Sequence, residues 1–384
     1  MTPSAFSWLL PDAPPPTTPL ALALAEATKG VGRTRPNPPV GCVVLDDDGR
    51  VLGRGFHARA GDRHAEVVAL DDVVSRHGDG AARGKTLVVT LEPCTHHGRT
   101  PPCVDRVLGE GVARVVVGAL DPNPRVHGTG VARLQAAGVD VVVAAADEGD
   151  GAACVALLQP FASAQRRGRP WVVLKTATSL DGKVATRARA SRFLTGPPSR
   201  VLVHALRDAV DAVVVGAATA LTDDPALTVR DAPLRGVEPR DPLRVLLDRR
   251  LAVPSTATLF APPGALVFCD SDVAPVSRAG AEHVTRGTAL PTVLDELGRR
   301  DLLAVLVEAG PTLSAALLRD DLVDELWWFH APLVLGGDGV PAVASLAVDA
   351  LADARRFAVA HRVVCGDDAL TILRRPRAPT HTGS

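Results

Sequence analysis

The chain has 384 residues, of which 46% are hydrophobic and 22% are charged, and its formal net charge is −1. A nearly neutral chain lacks the basic field required for sequence-independent binding to nucleic acid, and with 3% aromatic residues it offers few surfaces on which bases could stack. No stretch approaches the length of a membrane span, and six scattered cysteines form no disulfide framework, so we expect no membrane association and a cytoplasmic protein.

The length predicts two domains, and the first alternates strands and helices. Residues 1–18 are rich in proline and are predicted to be a disordered or loosely attached tail. A helix is expected near residues 20–28, then strands around 40–45, 86–91, 113–118 and 139–144, with helices around 65–75, 103–109 and 128–137. This alternation predicts a layered α/β domain around a mixed or parallel sheet, over residues 19–164.

A polar stretch at residues 165–170 is typical of a linker, so the second domain is expected at 170–376. Its predicted strands are 171–178, 212–215, 243–248, 265–269, 302–308 and 325–334, with a closing hairpin of 358–364 and 370–374. There is no Gly-x-Gly-x-x-Gly motif, so a two-lobed Rossmann arrangement is unsupported. Instead, residues 302–312 predict a strand, a glycine turn and a helix start whose free N–H groups suit a dinucleotide pyrophosphate, although an ordinary strand-to-helix connection has the same pattern.

Three short segments predict a catalytic zinc site: His64-Ala65-Glu66, Pro93-Cys94 and Cys103. One imidazole and two thiolates leave the fourth position of a tetrahedral zinc free for a water, which the metal acidifies. Glu66 is the predicted proton carrier between this water, a ring nitrogen and departing ammonia. Residues two apart on a helix point in nearly opposite directions, so His64 must stand where the helix begins. The chemistry indicated is hydrolytic deamination.

Other interpretations of these residues remain open at this stage. His96 or His97 could be a fourth ligand of a structural zinc, or could replace Cys103 as the third. The cysteines could also be unconnected buried residues. The usual Pro-Cys-x-x-Cys spacing is lengthened here by six residues containing Gly98, which predicts a loop between the two cysteines.

Five segments resemble the deaminase half of the bifunctional riboflavin-biosynthesis deaminase/reductase family: VGCVV at 40–44, HARAG at 57–61, HAEV at 64–67, TLEPCTHHGRTPPC at 90–103 and DPNP at 121–124. The resemblance implies a cytidine-deaminase-like α/β/α domain. The implied substrate is a diaminopyrimidinone ribosylamino phosphate, with Asn37, His57 and Arg99 contacting the base or the ribosyl phosphate. Independently of the resemblance, the planar guanidinium of an arginine suits a phosphate. The alternative is that Arg99 is an ordinary solvated arginine in a loop.

Four more segments resemble the reductase half of the same family, which has a dihydrofolate-reductase-like α/β fold: KTATSLDG at 175–182, VVG at 214–216, TDDPALTVR at 222–230 and EAGPTL at 308–313. The resemblance implies that NADPH lies along Ala177, Phe193, Thr219, Asp223, Gly310, Pro311, Thr312 and Leu313. It places the ribosyl phosphate at Ser191, Arg207, Leu227, Arg230 and Glu308.

Two further roles are hypotheses about catalysis in this half. The compact ammonium of Lys175 would orient sugar hydroxyls or polarise an opened imine, and Asp223 would position the sugar or the nicotinamide. Asp223 could instead be only a turn former before Pro225.

The sequence therefore predicts an enzyme that deaminates a pyrimidine with zinc and then reduces its ribosyl group with NADPH. The alternatives are a deaminase whose second domain only binds substrate, a zinc-stabilised scaffold without turnover, and a nucleic-acid editor. The family resemblance also implies a homo-oligomer, a dimer or a tetramer.

Overall fold

A computed structural model describes residues 3–13, 15–96, 101–124, 126–191, 194–230, 236–270, 272 and 280–376. The helices of the first domain are α1 (Pro19–Gly30), α2 (Ala65–His77), α3 (Cys103–Gly109), α4 (Thr129–Ala136), α5 (Gly149–Leu157) and α6 (Gln159–Arg167). Its strands are β1 (Gly41–Leu45), β2 (Val51–Phe56), β3 (Thr86–Val89), β4 (Arg114–Val117) and β5 (Asp140–Val143).

These strands form one mixed sheet in the order β2-β1-β3-β4-β5. β1 runs antiparallel to both of its neighbours, whereas β3, β4 and β5 run parallel. Alternate residues of β1 enter different cores, because successive side chains of a strand point to opposite faces. Val44 packs towards α2, α3 and α4, and Val43 packs towards α1 and α5. The predicted α/β/α layering is therefore confirmed.

The second domain adds the helices α7 (Pro197–Ala209), α8 (Ala217–Asp223), α9 (Leu290–Arg299) and α10 (Pro311–Arg319). Its strands are β6 (Trp171–Thr178), β7 (Lys183–Ala185), β8 (Ala212–Gly216), β9 (Leu243–Leu247), β10 (Ala265–Phe268), β11 (Ala281–Val284), β12 (Ala304–Glu308), β13 (Glu325–His330), β14 (Val340–Pro341), β15 (Ala358–Cys365) and β16 (Asp368–Arg374). Nine of them form a sheet in the order β11-β10-β9-β8-β12-β6-β13-β16-β15.

This second sheet is parallel from β11 to β13 and antiparallel in the closing hairpin. Separate apolar cores cover its two faces, one including residues of α7 and the other residues of α9 and α10. Parallel pairing sets Glu308, the last residue of β12, opposite Lys175 in the second half of β6. Ligand sites of open α/β sheets form at such strand ends.

Two predictions about the chain's connections were wrong. α6 continues to Arg167, so the first half of the expected linker at 165–170 is helical. The described part of the expected loose tail is docked: a 3-10 helix spans Ser7–Leu9, and Ser4, Ala5 and Phe6 are each 1% exposed.

The tail is held by the second domain. Ser4 Oγ donates to Glu325 Oε1 at 2.5 Å, and Arg374 Nη1 donates to the carbonyl of Pro3 at 2.6 Å. Phe6 belongs to the same apolar core as Trp327. Burial of this aromatic ring, together with the two hydrogen bonds, contributes to offsetting the entropic cost of ordering a segment that proline content alone would leave extended.

The described helices include none that is both long and apolar enough to cross a membrane.

Candidate active sites

The three predicted metal ligands meet at one point of the first domain. His64 Nδ1 lies 3.0 Å from Cys103 Sγ and 3.6 Å from Cys94 Sγ, and the two sulfurs are 3.4 Å apart. His64 caps the start of α2 with an extended backbone, Cys94 follows β3, and Cys103 begins α3. The expectation that His64 stands where its helix begins is thus met.

The distances suit zinc. Ligands of a tetrahedral zinc at ordinary Zn–S and Zn–N bond lengths stand about 3.5–3.8 Å from one another, close to the spacings observed here. The hydrogen bond from Cys103, together with His64, lowers the pKa of Cys94 to about 4, and the Cys94 thiolate in turn raises the pKa of Cys103. Two thiolates at this separation need a cation between them, which a divalent metal supplies.

Among the described residues, His64, Cys94 and Cys103 are the one cluster able to hold a metal ion. His96 lines the neighbouring cavity but is not part of the cluster, so it does not act as the fourth ligand of a structural site. His97 and Arg99 lie outside the described residues.

Glu66 lies on the first turn of α2, next to the ligands, and is 3% exposed. Burial and the negative charge of Cys94 raise the pKa of Glu66 to about 7. A carboxylate with such a pKa both accepts and releases a proton near neutral pH, which is what a group that shuttles protons requires.

A cavity of about 400 Å³ opens beside this cluster. Asn37 and His57 line it as predicted, and Asn37 Nδ2 lies 3.0 Å from His57 Nε2. Burial lowers the pKa of His57, so its ring is neutral at neutral pH. His57 Nδ1 lies 3.2 Å from the carbonyl of Arg63, to which it must donate, so Nε2 accepts from Asn37.

Several residues that line this cavity were not predicted from the sequence as site residues. Glu92, Asp121 and Asn123 come from the ends of β3 and β4, and Phe161 and Gln165 come from α6. Glu92 is 4% exposed and accepts from the backbone N–H groups of Asp121, Gly128 and Gly130. The quoted segments at 90–103 and 121–124 contain Glu92, Asp121 and Asn123 and could have indicated them, whereas nothing local in the sequence indicated that α6 lines the cavity.

A second cavity, of about 370 Å³, lies at the strand ends of the second domain. Many of the predicted residues line it: Lys175, Ala177, Ser191, Thr219, Asp223, Glu308, Gly310 and Pro311. Thr312 and Leu313 line an adjoining cavity of about 320 Å³. It shares Thr219, Gly310 and Pro311 with the reductase-domain cavity of about 370 Å³. The two together form an extended cleft along the glycine turn, as a dinucleotide requires.

The charged groups of this cleft are linked. Arg207 donates to Glu308 through Nε at 2.6 Å and through Nη2 at 3.0 Å. Burial by itself would raise the pKa of Glu308, but Arg207 and Lys175 outweigh it and bring the pKa to about 2. Burial lowers the pKa of Lys175, and Glu308 opposes that shift. Ser191 Oγ donates to Asp223 Oδ1 at 3.1 Å.

Three predicted residues of the described part of the chain are not among those lining the cleft: Arg207, Leu227 and Arg230. Arg207 reaches the cleft only through its pair with Glu308. The side chain of Leu227 is 1% exposed within the apolar core, and the backbone N–H of Arg230 donates to His204 Nδ1 at 3.1 Å. Phe193 lies outside the described residues.

Both halves of the chain match known families. The model of the cytidine and deoxycytidylate deaminase zinc-binding region matches residues 17–119, and that of the RibD C-terminal domain matches residues 170–370. The riboflavin biosynthesis protein RibD of Escherichia coli K12 is 39% identical over 359 residues, covering 88% of this chain and 93% of that protein. The RibD protein of Aquifex aeolicus is 38% identical over 323 residues, covering 83% and 87%. The chain belongs to the RibD family.

Solved structures agree with this membership. Acinetobacter baumannii RibD matches with a TM-score of 0.78 and 36% identity, covering 93% of this chain and 98% of that one. A diaminohydroxyphosphoribosylaminopyrimidine deaminase/5-amino-6-(5-phosphoribosylamino)uracil reductase of Thermotoga maritima matches with a TM-score of 0.81 and 34% identity, covering 92% and 97%.

The predicted bifunctional deaminase and reductase of riboflavin biosynthesis is therefore confirmed, with zinc and NADPH as its cofactors. It acts on a small molecule. Three alternatives are not favoured: a deaminase whose second domain only binds substrate, a scaffold without turnover and a nucleic-acid editor.

Proposed function

We propose that the first site deaminates a diaminopyrimidinone ribosylamino phosphate and that the second then reduces the ribosyl group of the product to ribityl. The observation that carries the first step is the buried Glu66 carboxylate beside the His64, Cys94 and Cys103 cluster, at the wall of a cavity large enough for a nucleotide-sized ligand. The Thermotoga maritima relative is named for a deaminase and a reductase of such pyrimidines, which supports the same pair of reactions here.

In the deaminase site, each described residue has a distinct proposed task. His64, Cys94 and Cys103 hold zinc, which when bound supplies Lewis acidity towards a water. Glu66 would carry one proton from that water to a ring nitrogen. It would then carry a second proton, from the hydroxyl group of the adduct, to the amino group, which leaves as ammonia; a pKa near neutrality suits both transfers. Asn37 and the neutral His57 orient the base through hydrogen bonds, and Arg99 is proposed to bind the phosphate.

Glu66→Gln tests this assignment. The amide keeps the volume but cannot carry the proton, so ammonia release should fall by about 100- to 10,000-fold while zinc content stays at that of the wild type. The matched control is Glu110→Gln, since Glu110 pairs with Arg106 and lines neither cavity. Ammonia release that persists in Glu66→Gln would remove Glu66 from the reaction.

In the reductase site, NADPH would be held by Ala177, Thr219, Gly310, Pro311, Thr312 and Leu313, with Phe193 as a further contact. When bound, it would supply a hydride. Ser191, Arg207 and Glu308 are proposed to bind the ribosyl phosphate, whereas Leu227 and Arg230, which do not line the cleft, stay predictions from the family resemblance. Lys175 donates a hydrogen bond to the sugar oxygen that gains charge as the ring opens, and Asp223 positions the sugar or the nicotinamide. The lowered pKa of Lys175 makes its ammonium a better proton donor than an exposed lysine.

Lys175→Met tests this second assignment. It keeps an unbranched side chain but removes the ammonium, so NADPH oxidation with the deaminated intermediate should fall by at least about 100-fold. NADPH binding, followed by quenching of protein fluorescence, should remain. The control is Lys85→Met, because Lys85 pairs with Asp47 in the other domain. Undiminished oxidation would exclude Lys175 from the reduction. No oxidation by the wild-type protein would favour a monofunctional deaminase.

We also propose that the enzyme works in the cytoplasm as a dimer or tetramer. Its predicted deaminase domain at 19–164 extends to the end of α6 at Arg167, and the predicted tail at 1–18 is attached to the reductase domain at 170–376. None of the six cysteines, all of which lie in the described part of the chain, forms a disulfide, which suits a reducing compartment. Leu180 and Val334 are 63% and 68% exposed, as expected of apolar residues that a subunit contact would cover. Light scattering on a sizing column measures the assembly.

A further inference from the structure

The loop between α1 and β1 forms one wall of the deaminase cavity. Pro36, Asn37 and Pro38 line the cavity. Thr34 Oγ1 donates to the carbonyl of Asn37 at 2.9 Å, and the Asn37 N–H donates to the carbonyl of Thr34 at 2.9 Å. Since Thr34 is also 1% exposed, residues 34–37 behave as one closed turn that carries Asn37.

This turn is anchored outside its own domain. Arg33, the residue before it, donates through Nη2 to Asp208 Oδ1 at 2.8 Å and to the carbonyl of Glu238 at 2.6 Å. Both partners belong to the reductase domain, and the Arg33 and Asp208 side chains are only 14% and 5% exposed. A charge-assisted pair of such low exposure fixes geometry far better than an exposed pair, and its loss leaves an uncompensated charge.

Asp208 is held in turn by its own domain. It lies on α7, and the backbone N–H of Arg240 donates to its Oδ1 at 2.7 Å. Its neighbour Arg207 binds Glu308 in the reductase site. Successive residues on a helix point about 100° apart. The same turn of α7 therefore serves both sites, one through Arg207 and the other through Asp208.

The other wall of the deaminase cavity has a similar support. Phe161 and Gln165 of α6 line the cavity. The same helix ends at Arg167, which donates to both oxygens of Asp324 in the reductase domain, at 2.7 and 2.9 Å. The reductase domain thus contacts the elements that form both walls of the deaminase cavity.

We propose that Asp208 of the reductase domain is a positioning residue for deamination, because through Arg33 it holds Asn37 where that side chain binds the base. The proposal rests on the function proposed above for the deaminase site. Without the pair, the turn occupies several positions and only a fraction of molecules is ready to bind. Apparent affinity falls by that fraction, whereas turnover of bound substrate changes little.

The test uses full-length, zinc-loaded protein and the variants Arg33→Met, Asp208→Asn and the double variant. The dissociation constant for the diaminopyrimidinone ribosylamino phosphate is measured in a Glu66→Gln background, and KM and kcat for ammonia release in the active background. Each single variant should raise both Kd and KM by about tenfold and leave kcat within about twofold. The double variant should cost no more than either single one, because both remove the same contact.

Asp248→Asn is the matched control. Asp248 is also a buried carboxylate of the reductase domain, and it accepts from the backbone N–H groups of Ala252 and Val253 at 2.8 and 2.9 Å. It should lower stability without changing Kd. Arg33→Lys, which keeps the charge, should restore part of the affinity, and it supplies the test if Asp208→Asn does not fold.

Three results would overturn the proposal: an equal rise of Kd in Asp248→Asn, additive effects in the double variant, or a loss of kcat at unchanged KM. A different failure is recognisable separately. If protein carrying Glu66→Gln with the Arg33 and Asp208 pair intact did not bind the pyrimidine at all, the proposed substrate would be wrong, and the positioning role with it.

Discussion

Replacement of Phe6 by alanine tests whether the amino-terminal segment is part of the reductase domain. Phe6 is 1% exposed and packs in the core that also contains Trp327. Truncation of a fully buried phenylalanine costs about 3–5 kcal/mol, because transfer free energy is lost and a cavity remains. For a domain of about 200 residues, 1 kcal/mol corresponds to about 2–4 °C in Tm, so the reductase transition should fall by roughly 10 °C.

The assay is thermal unfolding followed by circular dichroism, with NADPH added in a parallel scan to identify the transition of the reductase domain. Leu351→Ala is the control, since Leu351 is an apolar residue that is 85% exposed. A loosely attached tail would give the same small change in both variants. A shift below about 1 °C for Phe6→Ala would therefore refute the docked segment.

Three further outcomes are expected. Cys103→Ser should lower bound zinc to less than about a tenth of the wild-type amount, measured by atomic emission after dialysis, because a neutral hydroxyl replaces a thiolate; retained zinc would exclude Cys103 as a ligand. Because the pKa of Glu308 is brought to about 2 by Arg207 and Lys175, its ionised form stabilises the fold above its ordinary pKa and this stability is lost as the pH falls. Between about pH 5 and pH 2, the free energy of unfolding measured by urea titration should therefore fall by up to about 3 kcal/mol less in Glu308→Gln than in the wild type. An equal fall in both proteins would contradict this. Gly41→Ala should fail to accumulate as folded protein in a solubility assay, because its Cβ would lie 2.1 Å from the carbonyl oxygen of Ala23 and 2.3 Å from Ala27 N; a soluble variant with unchanged Tm would contradict that contact.

The strands that the sequence missed show where local patterns fail. β2 has the sequence VLGRGF, and its two glycines weaken the strand signal. The structure shows why they are there: a Cβ at Gly55 would lie 2.4 Å from Ala69 N, because the backbone of α2 packs directly on the strand. β11, with the sequence AEHV, is a short edge strand in which half of the residues are polar, so it has no apolar run that would predict a strand.

The cluster of His64, Cys94 and Cys103, with Glu66 beside it, was predictable because each of these residues stands next to a strong local signal, a helix start or the end of an apolar strand. Such signals depend on a few neighbouring residues, and the sequence contains them in full. The residues of the second site were predicted from short motifs that resemble those of a known family.

Only the tertiary structure decided which distant parts complete those sites. The docking of Phe6, the contribution of α6 to the deaminase cavity and the pairing of Arg33 with Asp208, 175 residues away, depend on how two sheets and their helices pack together. A buried aromatic ring or a largely buried ion pair is stabilised by the surface that encloses it. That surface comes from segments that are distant in the sequence, so a local sequence pattern cannot predict the contact.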